Sequence, residues 1–144
     1  MIVVADTSGI IAAFDRNAPE GPTCRRLLQE AGTVILSPLV LAEVDHLARA
    51  RLGGAARTTI LELMLTQVRR MRFQVPDIGA ETLATAVAVI SRYTDLDLDL
   101  ADAVSVALAA DYRTDAVLTL DRRDFRAVRP LTPHGAFRLL PDDL

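Results

Sequence analysis

The sequence predicts an α/β fold: one domain over residues 1–144, with a central, mostly parallel sheet of four to five strands and helices on both of its faces. Three observations predict it. Short runs rich in β-branched residues, such as Ile2-Val3-Val4-Ala5 and Ala116-Val117-Leu118, carry no polar interruption, as strands buried on both faces require. These runs alternate along the chain with longer helical segments, the pattern of a parallel sheet with crossover helices. No internal repeat, low-complexity tract or linker divides the chain. Its 144 residues suffice for one core, since a domain near this size buries about 70% of its unfolded surface.

Each element follows from local chemistry. Residues 2–5 form the first strand, and Asp6-Thr7-Ser8 opens a helix over 9–14. The turn formers Asn17, Pro19, Gly21 and Pro22 fill the loop 15–22. Thr23 is the expected N-cap of a helix through Glu30, ended by Gly32. A second strand at 33–36 leads to Ser37-Pro38, a strong helix start with Ser capping and Pro at the first helical position. That helix runs to Leu52 and stops at Gly53-Gly54. A further helix covers 56–71, a brief strand at 73–75 ends at Pro76, and another helix spans 80–93. Asp and Leu alternate through 94–100. The Ala/Val helix over 101–112 is apolar almost all round and therefore central. Strands at 116–120 and 137–140 complete the sheet, the last at an edge.

Composition narrows the function. With 51% hydrophobic residues the chain is globular, and with 4% aromatics and no Trp its core is aliphatic. A net charge of −3 does not advertise a nucleic-acid binder, although local patches matter more than the total. The single cysteine, Cys24, excludes an internal disulfide and the paired-cysteine zinc patterns, and it fits a reduced, cytoplasmic setting. The first apolar run stops at Asp6, so no signal peptide is expected, and no uncharged stretch of about 20 residues is present to span a membrane. His46 and His134 are isolated and read as structural or surface residues, and Cys24 as a small apolar one.

The informative feature is acidic. Asp6 and Asp121 each follow a buried strand, at the carboxyl ends where open α/β sheets form their sites. Glu43 and Asp102 lie inside otherwise apolar helical segments. Leu39 and Leu47, four residues to either side, share the face of Glu43. Each acid has a plain structural alternative. Asp6 is a good N-cap, although Thr7 and Ser8 would serve equally. Glu43 fits a boundary position with its stem on apolar surface. Asp102 suits a helix dipole, worth about 0.3–1 kcal/mol at an exposed site, and Asp121 a turn. Buried carboxylates are costly without a counter-charge. All 16 basic residues are arginine, so no lysine supplies it, and a hard divalent metal with a preference for oxygen ligands is the expected partner. Asp124 is a second candidate in the turn of Asp121. Asp95, Asp97 and Asp99 read as a solvated loop, with Asp99 able to reach the rim of the site.

Taken together, the motifs Val4-Ala5-Asp6-Thr7-Ser8, Pro38-Leu39-Val40-Leu41-Ala42-Glu43, Leu100-Ala101-Asp102-Ala103 and Leu118-Thr119-Leu120-Asp121-Arg122-Arg123-Asp124-Phe125 resemble those of the PIN-domain ribonucleases, most closely the VapC-type toxins of bacterial toxin–antitoxin pairs. They occur in the family's order and span most of the chain. The resemblance implies an RNA endonuclease dependent on Mg2+ or Mn2+, with Asp6, Glu43, Asp102 and Asp121 as the catalytic acids. It also implies a homodimer inhibited by a small antitoxin protein. Magnesium takes only one or two carboxylates directly, and Asp6 and Asp102 are assigned as those ligands, with Glu43 and Asp121 holding its waters or a second ion. Thr7, Ser8 and Thr119 are accessory hydroxyls, equally readable as caps. Arg122 and Arg123 flank the acids as candidate phosphate holders, equally readable as surface charge. Apolar helix surfaces near Leu47, Leu52 and Leu63 could dock an antitoxin peptide, or be core or dimer contacts.

Two rival readings are weighed against this one. A phosphotransfer or receiver domain would also carry an acidic magnesium pocket, but such families use a lysine near the phosphate, and Asp6-Thr7-Ser8 lacks a second Asp two residues on. A binding module without catalysis would suit the mildly acidic charge and the lack of a basic stripe. The presence of all four acids speaks against it.

Overall fold

The structure, a computed structural model, describes residues 1–144. Five strands form one sheet in the order β3-β2-β1-β4-β5, where β1 is Ile2–Ala5, β2 Thr33–Ile35, β3 Phe73–Gln74, β4 Ala116–Leu118 and β5 Arg138–Leu140. Every pairing is parallel. Four helices fall between the first three strands: α1 (Thr7–Phe14), α2 (Gly21–Glu30), α3 (Pro38–Leu52) and α4 (Gly54–Arg69). After β3 come α5 (Ala80–Arg92), a 3-10 turn (Thr94–Leu96) and α6 (Leu100–Asp111), and α7 (Arg122–Ala127) joins β4 to β5.

The period of two along the strands divides the core. Val3 and Ala5, Val34, and Ala116 and Leu118 pack with α1–α4 on one face. Val4, Ile35 and Val117 pack with α5, α6 and α7 on the other. Crossing from β3 at one edge to β4 beside β1 reverses the direction in which strands are added. The carboxyl ends of β1 and β4 therefore meet at the topological switch point, where a crevice opens between diverging connections.

Two glycines are set by geometry. Gly53 takes φ +94 between α3 and α4, so a single left-handed residue ends one helix and begins the next. Gly9 lies so close to β4 that a Cβ there would stand 2.6 Å from the Leu118 carbonyl oxygen, which lets the first turn of α1 rest on the end of that strand.

The predicted fold class is borne out, and the differences are local. α1 begins at Thr7 rather than Gly9, with Asp6 at the N-cap position but making no side-chain cap bond. α2 begins at Gly21 with Glu20 at its N-cap, so Thr23 lies inside the helix. The Pro22 that suggested a loop occupies the first turn, where its missing N–H costs nothing. β4 ends at Leu118, two residues short of the expected strand, where the Thr119 side chain accepts the Asp121 N–H in a local turn that competes with the ladder. The helix α7 was not predicted, since its six residues are too few to show a period.

Candidate active site

The crevice at the switch point is a cleft of about 320 Å³ bounded by α1, α3, the start of α6 and the segment after β4. Asp6 is carried there by β1, whose ladder continues through the Asp6 N–H donating to the Leu118 carbonyl at 2.9 Å. A hydroxyl network then holds its carboxylate. Thr119 Oγ1 donates to Asp6 Oδ2 at 2.7 Å, and Ser8 Oγ to the same oxygen at 3.2 Å. The same two hydroxyls accept the backbone N–H groups of Asp121 and Leu120, both at 2.9 Å. Thr119 and Ser8 thus tie the end of β1 to the turn after β4. Across the cleft, Thr7 Oγ1 donates to Glu43 Oε2 at 3.2 Å.

Asp102 sits in the first turn of α6. Its N-terminus is capped by Asp99, whose Oδ1 accepts the Asp102 N–H at 2.8 Å. Asp99 therefore lines the rim with a structural task of its own. The short helix α7 brings two further acids. Its Phe125 is buried edge-on against Phe137, with ring centroids 6.0 Å apart, which turns Asp121 and Asp124 toward α6. Carboxylate oxygens of Asp102, Asp121 and Asp124 lie within 4.8 Å of one another. One buried oxygen of this set, Asp124 Oδ1, has no hydrogen-bond partner.

The electrostatics follow from this crowding. Burial, then the charges of Asp6, Asp99, Asp121 and Asp124, push the Asp102 carboxyl up to about 8. Asp6 is raised by its burial, against the pull of the Thr119 and Ser8 hydroxyls. Glu43 is raised by burial and then by Asp99, and Asp124 by burial and then by Asp121. Carboxylates so placed favour a proton or a cation.

Of the sequence candidates, Asp6, Thr7, Ser8, Glu43, Asp99, Asp102 and Asp121 all line the cleft, and Thr119 is buried beneath it. Asp124 groups with Asp102 and Asp121 more tightly than Asp6 does. Arg122 turns away from the cleft, because Asp142 of the C-terminal tail binds both its Nε and its Nη2, with Glu20 3.8 Å away. Arg123 is exposed, 4.0 Å from Asp124. His46 and His134 are exposed and Cys24 is buried, as expected. Leu47 and Leu52 are partly buried against the core, while Leu63 is exposed. Sequence reasoning missed Arg51, which lines the cleft; its spacing of four from Leu47 and eight from Glu43 was the available signal. No helix is long and apolar enough to cross a membrane.

Comparison with known proteins agrees with this architecture. The model of the PIN domain family matches residues 3–130. Ribonuclease VapC26 of Mycobacterium tuberculosis (strain ATCC 25618 / H37Rv) is 33% identical over 140 residues, covering 96% of this chain and all of that protein. The crystal structure of Mycobacterium tuberculosis VapC20, described as a sarcin-ricin loop cleaving toxin, superposes with a TM-score of 0.75 at 23% identity over 87% of this chain and 93% of that one. VapBC2 from Rickettsia felis, crystallised with a DNA fragment from its promoter, superposes with a TM-score of 0.67 at 17% identity over 92% of this chain and 96% of that one. Sheet order, acidic crevice and sequence likeness converge, and the chain belongs to the PIN-domain family, in its VapC ribonuclease branch.

Proposed function

We propose that this protein is the toxin of a type II toxin–antitoxin pair, a homodimeric RNA endonuclease that depends on Mg2+ or Mn2+ and is held in check by a cognate antitoxin. The observation that carries the reading is the group formed by Asp102, Asp121 and Asp124 at the switch point, with an orphaned buried oxygen on Asp124. The donors are all oxygen and all anionic, which fits a hard divalent cation. The VapC relatives are named as a ribonuclease and a cleaving toxin, and VapBC2 as a pair, which supports the RNA substrate and the antitoxin.

A divalent cation, when bound, supplies positive field at the scissile phosphate and acidifies a water for attack. The chain's own residues do the rest. Asp102, Asp121 and Asp124 would hold the cation. Asp6, fixed through Oδ2 by Thr119 and Ser8, is positioned to orient a water. Glu43, fixed by Thr7, faces it from α3 as the group best placed to accept a proton from that water. The raised Glu43 carboxyl moves it toward the range useful for a general base.

The test is to sequence RNA ends after expression of wild type and of Asp102→Ala in parallel. New 5′ ends and growth arrest with wild type, both absent in the variant, are expected. Asp6→Ala should likewise abolish magnesium-dependent cleavage and relieve growth inhibition. Toxicity unchanged in both variants would place the effect outside this cleft.

A further inference from the structure

The cleft extends beyond the acids gathered at the strand ends, along α1 and α3, where its lining carries Arg51 as well as Asp15, the C-cap residue of α1. On α3, Glu43, Leu47 and Arg51 follow one another at intervals of four residues, so they form a single stripe along the cleft wall. Six carboxylates line this cleft, and Arg51 is its one cation. Arg51 makes no ion pair with any of them, whereas Arg122 and Arg126 of α7 are engaged by Asp142 and Asp143 of the C-terminal tail, outside the cleft. A guanidinium left unpaired beside so much negative charge is available to an external anion. Between it and the acids, Leu47, Ile11 and Leu120 give the wall an apolar stretch.

We infer that Arg51 is a substrate-positioning residue, which holds a backbone phosphate of the RNA strand about three to four nucleotides from the scissile bond while the intervening bases or riboses lie on Leu47 and Ile11. This rests on the ribonuclease reading of the acidic end. The spacing supports it. Eight helical residues rise about 12 Å, and stacked nucleotides advance about 3.4 Å each, so Arg51 meets the strand about three to four steps from the acids. The planar guanidinium suits a phosphate, to which it can donate two parallel hydrogen bonds. The acidic end repels RNA until a cation is bound, so a fixed positive group at the other end also sets the direction in which the strand enters.

The experiment compares wild type, Arg51→Ala, Arg51→Lys and Arg49→Ala on a short single-stranded oligoribonucleotide, in its native form and with single neutral methylphosphonates placed at each of four positions on either side of the cleavage site. Arg49 shares the last turn of α3 and its dipole but does not line the cleft, so it controls for a merely helical role. The expected result is a KM about tenfold higher in Arg51→Ala with kcat within about twofold, partial rescue in Arg51→Lys, and no change in Arg49→Ala. The slope of log KM against log salt should also fall by about 0.7, the value for one single-strand phosphate. One methylphosphonate position should weaken wild type and leave Arg51→Ala unaffected. If wild type cleaves RNA and Arg51→Ala matches it in KM and in its response to every methylphosphonate, the inference is overturned alone. A loss of kcat and melting temperature with KM unchanged makes Arg51 a structural residue and overturns it too. A wild type that cleaves no RNA under any cation overturns both this inference and the function on which it rests.

Discussion

Aspartates meet opposite fates on the two sides of α7. On the side facing α6, Asp102 has four other acids acting on it, and its carboxyl is pushed up to about 8. On the side facing the C-terminal tail, Asp143 accepts two hydrogen bonds from Arg126, at 2.6 and 2.7 Å, and one from the Leu139 N–H at 2.8 Å, which hold its carboxyl down to about 2. Asp142 is likewise lowered by Arg122. Arg122 is the chain neighbour of Asp121, yet the fold spends it on the tail. Charge is thus neutralised where it only holds structure and is left uncompensated in the cleft. An arrangement that raises pKa values at a crevice while pairing acids elsewhere is a physical mark of a functional site.

The contrast breaks most visibly at Asp102. Asp102→Asn keeps the shape and removes the charge, and it should lower RNA cleavage about a thousandfold. The same variant should be the more stable one without metal. Because the Asp102 carboxyl is raised above its ordinary 3.8, the folded state binds that proton more tightly than the unfolded chain. Its stabilising contribution is complete below about pH 4 and is lost as pH rises through about 8. Melting temperatures in a chelator should therefore fall for wild type across that window and fall less for Asp102→Asn. Equal slopes would mean that the acids are not crowded as the geometry requires.

A smaller effect is expected at Thr119, whose hydroxyl both donates to Asp6 and accepts the Asp121 N–H. Thr119→Val should cost about 1–3 kcal/mol of stability in a denaturant melt, because buried polar groups lose their partner. It should weaken Mn2+ binding or activity about 10- to 100-fold, as loss of a group that orients a ligand does. Unchanged Mn2+ affinity would show that Thr119 does not position Asp121 for the cation.

The smallest effect belongs to the tail. Asp142→Asn releases Arg122 at an exposed pair, and cleavage should change by less than about threefold, since such pairs are weakly coupled to the rest of the molecule. A loss comparable to that of Asp102→Asn would show that the tail sets the position of Asp121 and Asp124, and would erase the distinction between the two sides of α7.

Much of this site could be read before any coordinates. Asp6 and Asp121 stand out as a set because both follow buried strands at the carboxyl edge of the sheet, although a cap and a turn explain each one singly. Glu43 stood out on an apolar helix face, and the structure gives that face to the cleft. Asp99 and Arg122 were read less well. Asp99 reaches the rim as its reading allows, but the Asp-Leu alternation hides its N-cap role; of the two readings open for Arg122, phosphate holder or surface charge, the structure gives the second, because its partner lies 20 residues further along the chain.

The sequence by itself determined the alternation of strands and helices, the helix start at Ser37-Pro38 and the division of each strand between two faces. These depend on propensity, caps and side-chain period, which act within a few residues. Only the tertiary structure decided which acids share a pocket. The order of strands sets Asp6 beside the turn of Asp121, and the burial of Phe125 against Phe137 fixes a helix too short to announce itself. Which carboxylates keep their charge uncompensated is settled by contacts between distant segments, because electrostatic energies depend on separation in space rather than along the chain.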